Sequence, residues 1–278
     1  MTEEMRSHIW PSVEGVISDL DGVIYRGQTP IPDAIQAIQL WQLDGIPICF
    51  VTNNSTYTAD DVVQKLGRFG LAIKPENVVT SAITTAQLIR QNNPAGTKVY
   101  VIGAAALTKA LVDANLEITH QDPAVVVVGL DREITYEKLR IAVAAILKGA
   151  VLIGTNPDLL LPTADGFEPG AGAILTAIAA ATGMTPLIVG KPEAHMLEAA
   201  LTRLRTARSS TLMIGDQIAT DIRAGKSAGV CTVLVTTGVP FKENAAQILP
   251  DFTVATLLDI HVTHGDCRSR RAQHEIGR

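Results

Sequence analysis

Short apolar, β-branched runs alternate with stretches of helical period along most of the chain, the pattern of parallel strands joined by crossover helices. The first unit reads as a strand at 15–18, a helix at 33–44 closed by Gly45, and a strand at 46–51. A helix near 59–69 stops at Gly70 and leads to a strand at 78–80. A second series places strands at 99–102, 124–128 and 151–153 among helices at 104–114, 135–148 and 171–181. A third has strands at 187–189, 211–214 and 231–235 with helices at 193–204 and 218–224.

This rhythm predicts an α/β fold with a Rossmann-like parallel-sheet core and a second, inserted α/β cap domain. The core is discontinuous, 1–81 plus 186–262, and the cap occupies 82–185. The tail, 263–278, is polar and aperiodic and is expected to be disordered.

Composition narrows the partners. Of the 278 residues 47% are hydrophobic and 18% charged, a globular balance. The net charge of -5 comes with scattered Lys and Arg, so no basic stripe is available to follow a nucleic acid. The acidic start, interrupted by Pro11, lacks the basic and apolar regions of a signal peptide. Apolar runs are of strand length, well short of the roughly 18 residues a membrane span needs. A soluble, cytoplasmic protein is the expectation. The odd, widely spaced Cys49, Cys231 and Cys267 suit reduced thiols better than disulfides or zinc.

In open parallel sheets ligands bind beyond the carboxyl ends of the strands, so polar residues directly after apolar runs are the natural candidates. Four junctions qualify: Asp19-Leu20-Asp21-Gly22, Thr52-Asn53-Asn54-Ser55, Gly190-Lys191-Pro192, and Gly215-Asp216 with Asp221 five residues on. Two carboxylates one residue apart face the same side of an extended chain, and Gly22 lets the backbone turn after them. One carboxylate can attack phosphorus while its neighbour moves the proton, which divides hydrolysis into two easier steps. Such a pair repels a phosphate unless positive charge is present, and Lys191 and a divalent ion would provide it. Mg²⁺ prefers oxygen ligands, which Asp19, Asp216 and the Asp21 carbonyl offer. Asp221, one turn into a helix, suits an orienting role behind them. Thr52, Asn53 and Asn54, with nearby backbone N–H groups, are placed to hold phosphoryl oxygens.

Each junction alone has a plain structural reading. D-x-D-G occurs in turns, Lys191 can be a solvated charge, Asp216 and Asp221 can cap a helix, and residues 52–55 can form an ordinary turn. It is the set of four that favours chemistry. Gly190-Lys191 is no P-loop, since Pro192 stands at the Ser/Thr position. His261 and His264 lie in a polar stretch without further ligands, and His195 is at most a minor substrate contact.

In order and kind, the four junctions resemble the haloacid dehalogenase-like hydrolases, specifically the NagD-like or 4-nitrophenylphosphatase-like branch with a large α/β cap. The branch is suggested by DLDGVIYRG at 19–27 and by the cap segments Thr155-Asn156-Pro157-Asp158 and Glu168-Pro169-Gly170-Ala171-Gly172. The resemblance implies an Mg²⁺-dependent phosphatase acting on small phosphomonoesters such as sugar phosphates, nucleoside monophosphates or phosphoglycolate. It implies Asp19 as nucleophile, Asp21 as acid/base, and a homodimer formed through the cap. Asn156, Asp158 and the 168–172 segment are expected to face the core site and read the leaving group. A mutase using the same intermediate and a phosphate sensor without turnover are the competing readings.

Overall fold

Every residue of the strands Gly15–Ser18, Ile48–Thr52 and Thr211–Gly215 is buried, as central strands covered on both faces must be. The computed structural model describes residues 13–163, 166–238, 248–260 and 262. Two parallel sheets organise them. The larger has the strand order Phe252–Val254, Cys231–Val235, Thr211–Gly215, Gly15–Ser18, Ile48–Thr52, Val78–Thr80, with every pairing parallel. Side chains alternate between its faces. Val16 and Phe50 pack with Ile38, Trp41 and Leu66 of the helices Pro32–Leu43 and Ala59–Arg68. Ile17, Cys49 and Val51 pack on the opposite side with Met196, Leu197 and Ala200 of His195–Leu204. Fully burying a side chain such as Phe50 is worth about 1.5–3 kcal/mol, so each helix is fastened by a few such residues.

The smaller sheet has the order Leu187–Ile188, Val151–Gly154, Val125–Val128, Lys98–Ile102, Glu117–Ile118, again all parallel. It corrects one expectation. By position the run at 187–189 reads with the third series, but Leu187 pairs with Ile153 and Ile188 with Gly154, so this strand completes the second sheet. The chain therefore returns to the larger sheet only after Ile188. The helix Ser81–Asn92, the strand Phe252–Val254 and the hairpin Leu160–Thr163/Gly166–Pro169 were not foreseen. The predicted helix at 218–224 divides into a π-helical turn, Ile218–Ile222, and the α-helix Arg223–Ala228. The expected loose tail and the His261–His264 pair lie outside the described residues. Among the described residues no helix is long and apolar enough to cross a membrane.

Candidate active site

Three neighbouring strands of the larger sheet end at one place, and each delivers a polar side chain there. Gly15–Ser18 is followed by Asp19, Thr211–Gly215 by Asp216, and Ile48–Thr52 ends on Thr52. The Asp19 N–H donates to the Ile214 carbonyl at 2.9 Å, carrying the strand pairing one residue past Ser18. The chain then doubles back: Gly22 takes φ +84°, and its N–H donates to the Tyr25 carbonyl at 2.7 Å. Glycine is required here twice over, because a methyl group on Gly22 would also overlap the Asp216 carboxylate.

Lys191 arrives from the other sheet, three residues after Leu187–Ile188. Its side chain is 3% exposed, and its ammonium donates to Asp19 Oδ1 and, at 2.6 Å, to Asp221 Oδ1. The Gln217 N–H donates to Asp221 Oδ2 at 3.1 Å. Gly215 has no room for a methyl beside the Asp221 Cβ, so glycine permits the π turn to sit this close to the strand.

One carboxylate oxygen from each of Asp19, Asp216 and Asp221 lies within 4.8 Å of the others. Three carboxylates facing one ammonium carry surplus negative charge, and the side chains show it. Burial, with Asp221 adding, pushes the Asp216 carboxyl up to about 7. Burial likewise holds Asp19 well above the usual carboxylate range; Lys191 opposes the rise while Asp221 and Asp216 add to it. Burial works against the Lys191 ammonium, yet Asp19 and Asp221 together bind its proton more tightly than usual. Asp216 Oδ1 is buried with no hydrogen-bond partner among the described residues. An all-oxygen donor set with an orphaned oxygen and excess negative charge fits a hard divalent cation. Asp221, expected behind the ligands, stands inside the cluster.

Asp21 opens to solvent at the mouth of the site. The protein crowded around the cleft still removes enough water to raise its carboxyl, against the pull of Lys65, the Tyr25 hydroxyl and Lys191. Lys65 Nζ stands 3.4 Å from the centroid of the Tyr25 ring. A further brace was not foreseen. The Thr237 hydroxyl donates to the Gly22 carbonyl at 2.7 Å, and Arg26 donates to the Thr237 carbonyl through Nε at 2.7 Å and through its terminal nitrogen. Gly238 follows, and a methyl there would overlap the Asp216 carboxylate. Thr-Thr-Gly after an apolar strand was the available signal for this brace.

The residues expected to hold substrate are brought together, but their polar bonds run to the protein. Asn53 Nδ2 donates to Asp158 Oδ2 at 3.0 Å and to the Lys191 carbonyl at 3.0 Å, while Asn53 Oδ1 accepts from the Lys191 N–H at 2.8 Å. The Asn53 carbonyl accepts from Asn156 Nδ2 at 2.8 Å and from the Ser81 hydroxyl at 2.6 Å. Asn54 Oδ1 accepts from the Thr56 N–H at 2.8 Å and closes a local turn. Thr52 Oγ1 accepts from the Asn54 N–H at 3.1 Å, which leaves its own proton to donate. Burial raises the Asp158 carboxyl, with Asn53 and Lys191 opposing. Glu168 pairs with Arg132 at 3.0 Å on the exposed hairpin, and the Gly170 and Gly172 N–H groups donate to the Leu159 and Asp158 carbonyls at 2.8 and 2.9 Å. Residues 168–172 thus brace the 157–159 loop.

A family model described as haloacid dehalogenase-like hydrolase matches residues 16–117, and one described as HAD-hydrolase-like matches 188–260. The acid sugar phosphatase of Staphylococcus aureus (strain MRSA252) is 43% identical over 227 residues, 81% of this chain and 87% of the relative. Among solved structures, p-nitrophenyl phosphatase from Archaeoglobus fulgidus aligns with a TM-score of 0.84 at 36% identity, covering 90% of this chain and 98% of that one. NagD from E. coli K-12 aligns at 0.82 and 30% identity, covering 90% and 99%. Glycerol phosphate phosphatase from Mycobacterium tuberculosis, in complex with magnesium, aligns at 0.83 and 30% identity, covering 91% and 78%. The buried Lys191 set between Asp19 and Asp221 thus sits in a chain that belongs to the haloacid dehalogenase-like hydrolases, in their NagD-like, nitrophenylphosphatase-like branch.

Proposed function

We propose that this chain is a phosphatase that hydrolyses a small phosphomonoester, a sugar phosphate foremost, through a phosphoryl group carried on Asp19. The observation that carries the reading is the cluster itself, in which Lys191 bridges Asp19 and Asp221 while Asp216 lies within reach of both. The family and the names of its relatives support the substrate class: an acid sugar phosphatase, a p-nitrophenyl phosphatase and a glycerol phosphate phosphatase.

In the proposed reaction Asp19 attacks phosphorus and the bond to the ester oxygen breaks. Asp21 gives that oxygen a proton, so the alcohol leaves neutral. Asp21, now a carboxylate, takes a proton from water as the water attacks the phosphoryl group on Asp19. The acyl phosphate splits, inorganic phosphate departs and both acids return to their starting states. Lys191 holds the Asp19 carboxylate in place and supplies one positive charge; Asp221 fixes Lys191. The Thr52 hydroxyl is placed to donate to a phosphoryl oxygen. Asp19 and Asp216, with the Asp21 carbonyl, would hold Mg²⁺, whose charge lets a phosphate dianion approach the carboxylates. The magnesium in the M. tuberculosis structure supports that choice of ion.

The test is phosphate release from 4-nitrophenyl phosphate and a panel of sugar phosphates, nucleoside monophosphates and phosphoglycolate, with and without Mg²⁺, for wild type and Asp19→Asn. Release that requires both Mg²⁺ and Asp19 upholds the proposal. Release that survives Asp19→Asn sinks the covalent route.

A further inference from the structure

Asn53 stands where both passages of the chain between the two sheets meet a loop of the smaller sheet. Its carbonyl accepts from Ser81, the first residue of the helix Ser81–Asn92 by which the chain leaves the larger sheet. Its carboxamide pairs twice with the backbone of Lys191, by which the chain returns, and its Nδ2 also reaches Asp158 on the loop after Val151–Gly154. The same loop sends Asn156 Nδ2 to the Asn53 carbonyl. Gly190 makes room for the arrangement: a β-carbon there would fall 2.6 Å from Asn53 Oδ1 and overlap the Thr155 carbonyl. The neighbouring Gly190 N–H donates to that carbonyl at 2.9 Å.

A primary amide offers one acceptor and two donors, and here the acceptor and both donor directions have protein partners. A side chain bound in this way has nothing left with which to hold a phosphate. It can, however, set the position of Lys191, because a residue pinned at both its N–H and its carbonyl has a fixed backbone from which to aim its ammonium.

We propose that Asn53 is a positioning residue: by pairing with both backbone groups of Lys191 and with Asp158, it aims the Lys191 ammonium at Asp19 and registers the smaller sheet over the site in the same contact. Position matters at this level because a misplacement of about 1 Å can cost on the order of 100-fold in rate. The proposal rests on the phosphatase reading only where turnover is the readout.

The experiment compares Asn53→Asp, Asp158→Asn, the double variant and Asn53→Ala in the full chain. Readouts are kcat and KM for 4-nitrophenyl phosphate, and hydrogen exchange at Lys191 and at residues 154–158. Asn53→Asp keeps the acceptor for the Lys191 N–H but loses both donors and sets a charge against Asp158. It is expected to lower kcat by about 100-fold with KM within a few-fold. In the double variant donor and acceptor change sides, and kcat is expected to recover about tenfold over Asn53→Asp, a coupling typical of residues in direct contact. Asn53→Ala is expected to speed exchange at Lys191 and across 154–158.

A loss confined to KM would mean that Asn53 touches substrate and would overturn the proposal. So would a double variant no better than Asn53→Asp, or unchanged exchange in Asn53→Ala. If the wild type releases no phosphate, the phosphatase reading fails and exchange alone decides: faster exchange upholds the positioning role and unchanged exchange removes it. Should Asn53→Asp not fold, Asp158→Asn and Asn53→Ala still give both readouts.

Discussion

Lys191 Nζ donates to Asp221 Oδ1 at 2.6 Å, and both side chains are almost wholly inside the protein, at 3% and 2% exposed. The two residues come from different passages of the chain: Lys191 follows the return from the smaller sheet, and Asp221 lies on the π turn after Thr211–Gly215. A buried ion pair gains little against a well-packed apolar alternative, but breaking one leaves an uncompensated charge. This pair also faces Asp19, so its geometry serves the cluster rather than the fold alone.

Lys191→Met tests that balance. It leaves Asp19 and Asp221 facing each other without a cation, and breaking such a pair is expected to cost about 3–5 kcal/mol of unfolding free energy. Chemical denaturation near neutral pH measures the loss. Phosphate release should fall by about 100- to 1,000-fold, the scale for removing one preorganised donor. A variant as stable as the wild type would show that Lys191 does not hold these acids together.

Removing divalent metal should change how stability depends on pH. In the folded protein the Asp216 carboxyl is pushed from 3.8 up to about 7, and Asp19 is raised in the same direction. The folded state therefore keeps protons that the unfolded chain releases. The stability this contributes is complete below about pH 4, where the unfolded carboxyl is also protonated, and is lost as pH rises through about 7. In EDTA the melting temperature is expected to fall across that window, at no more than roughly 1.4 kcal/mol per pH unit for one group. Saturating Mg²⁺ should flatten the curve, because the cation takes the proton's place. A metal-free melting temperature that is level or rises from pH 5 to 7 would contradict the charge surplus.

Gly22→Ala combines two faults, a side chain at φ +84° and a methyl group pressed against the Asp216 carboxylate. The backbone strain should cost about 1–2 kcal/mol. The displaced carboxylate should weaken Mg²⁺ binding at least about tenfold, in the range seen when groups supporting a metal site are disturbed. Calorimetric titration separates the two effects, since strain alone lowers stability without changing affinity.

The junctions were legible in the sequence because a parallel sheet concentrates its polar positions at strand ends, and Asp19, Thr52 and Asp216 each follow or end an apolar run. The pairing of strands was not. Leu187–Ile188 is a two-residue edge strand whose partner lies more than 30 residues away, and no local pattern says which sheet will accept it. The helix Ser81–Asn92 was hidden because Ser81, Thr84 and Thr85 are buried where an apolar stripe would ordinarily announce a helix. Thr84 and Thr85 return their hydroxyl protons to the carbonyls of Thr80 and Ser81, which makes burial tolerable and erases the periodic signal. Asn53, Asn156 and Asp158 bond to one another and to Lys191, but amides and acids serve a phosphate and a backbone equally well in a sequence, and only their partners tell which.

Lys65 supplies a last test, of Asp21. The helix Ala59–Arg68 begins with a reciprocal cap between Thr58 and Asp61 and carries Lys65 over the Tyr25 ring beside Asp21. Burial lowers the Lys65 ammonium, while Asp21 works to raise it. For Asp21 the sign is the reverse: burial holds its carboxyl up, and Lys65 is the first of the groups pulling it down. Lys65→Met removes that pull, so Asp21 should keep its proton to higher pH. In the proposed reaction phosphoryl transfer to Asp19 needs Asp21 protonated, and the alkaline limb of kcat/KM is therefore expected to move upward in pH. Lys65→Arg, which keeps the charge, should leave the limb in place. Lys65→Met should also lose about 0.5–1 kcal/mol of stability with the cation–π contact. An alkaline limb that stayed fixed or moved downward in Lys65→Met would detach Lys65 from Asp21, and with it the assignment of Asp21 as the proton donor to the leaving oxygen.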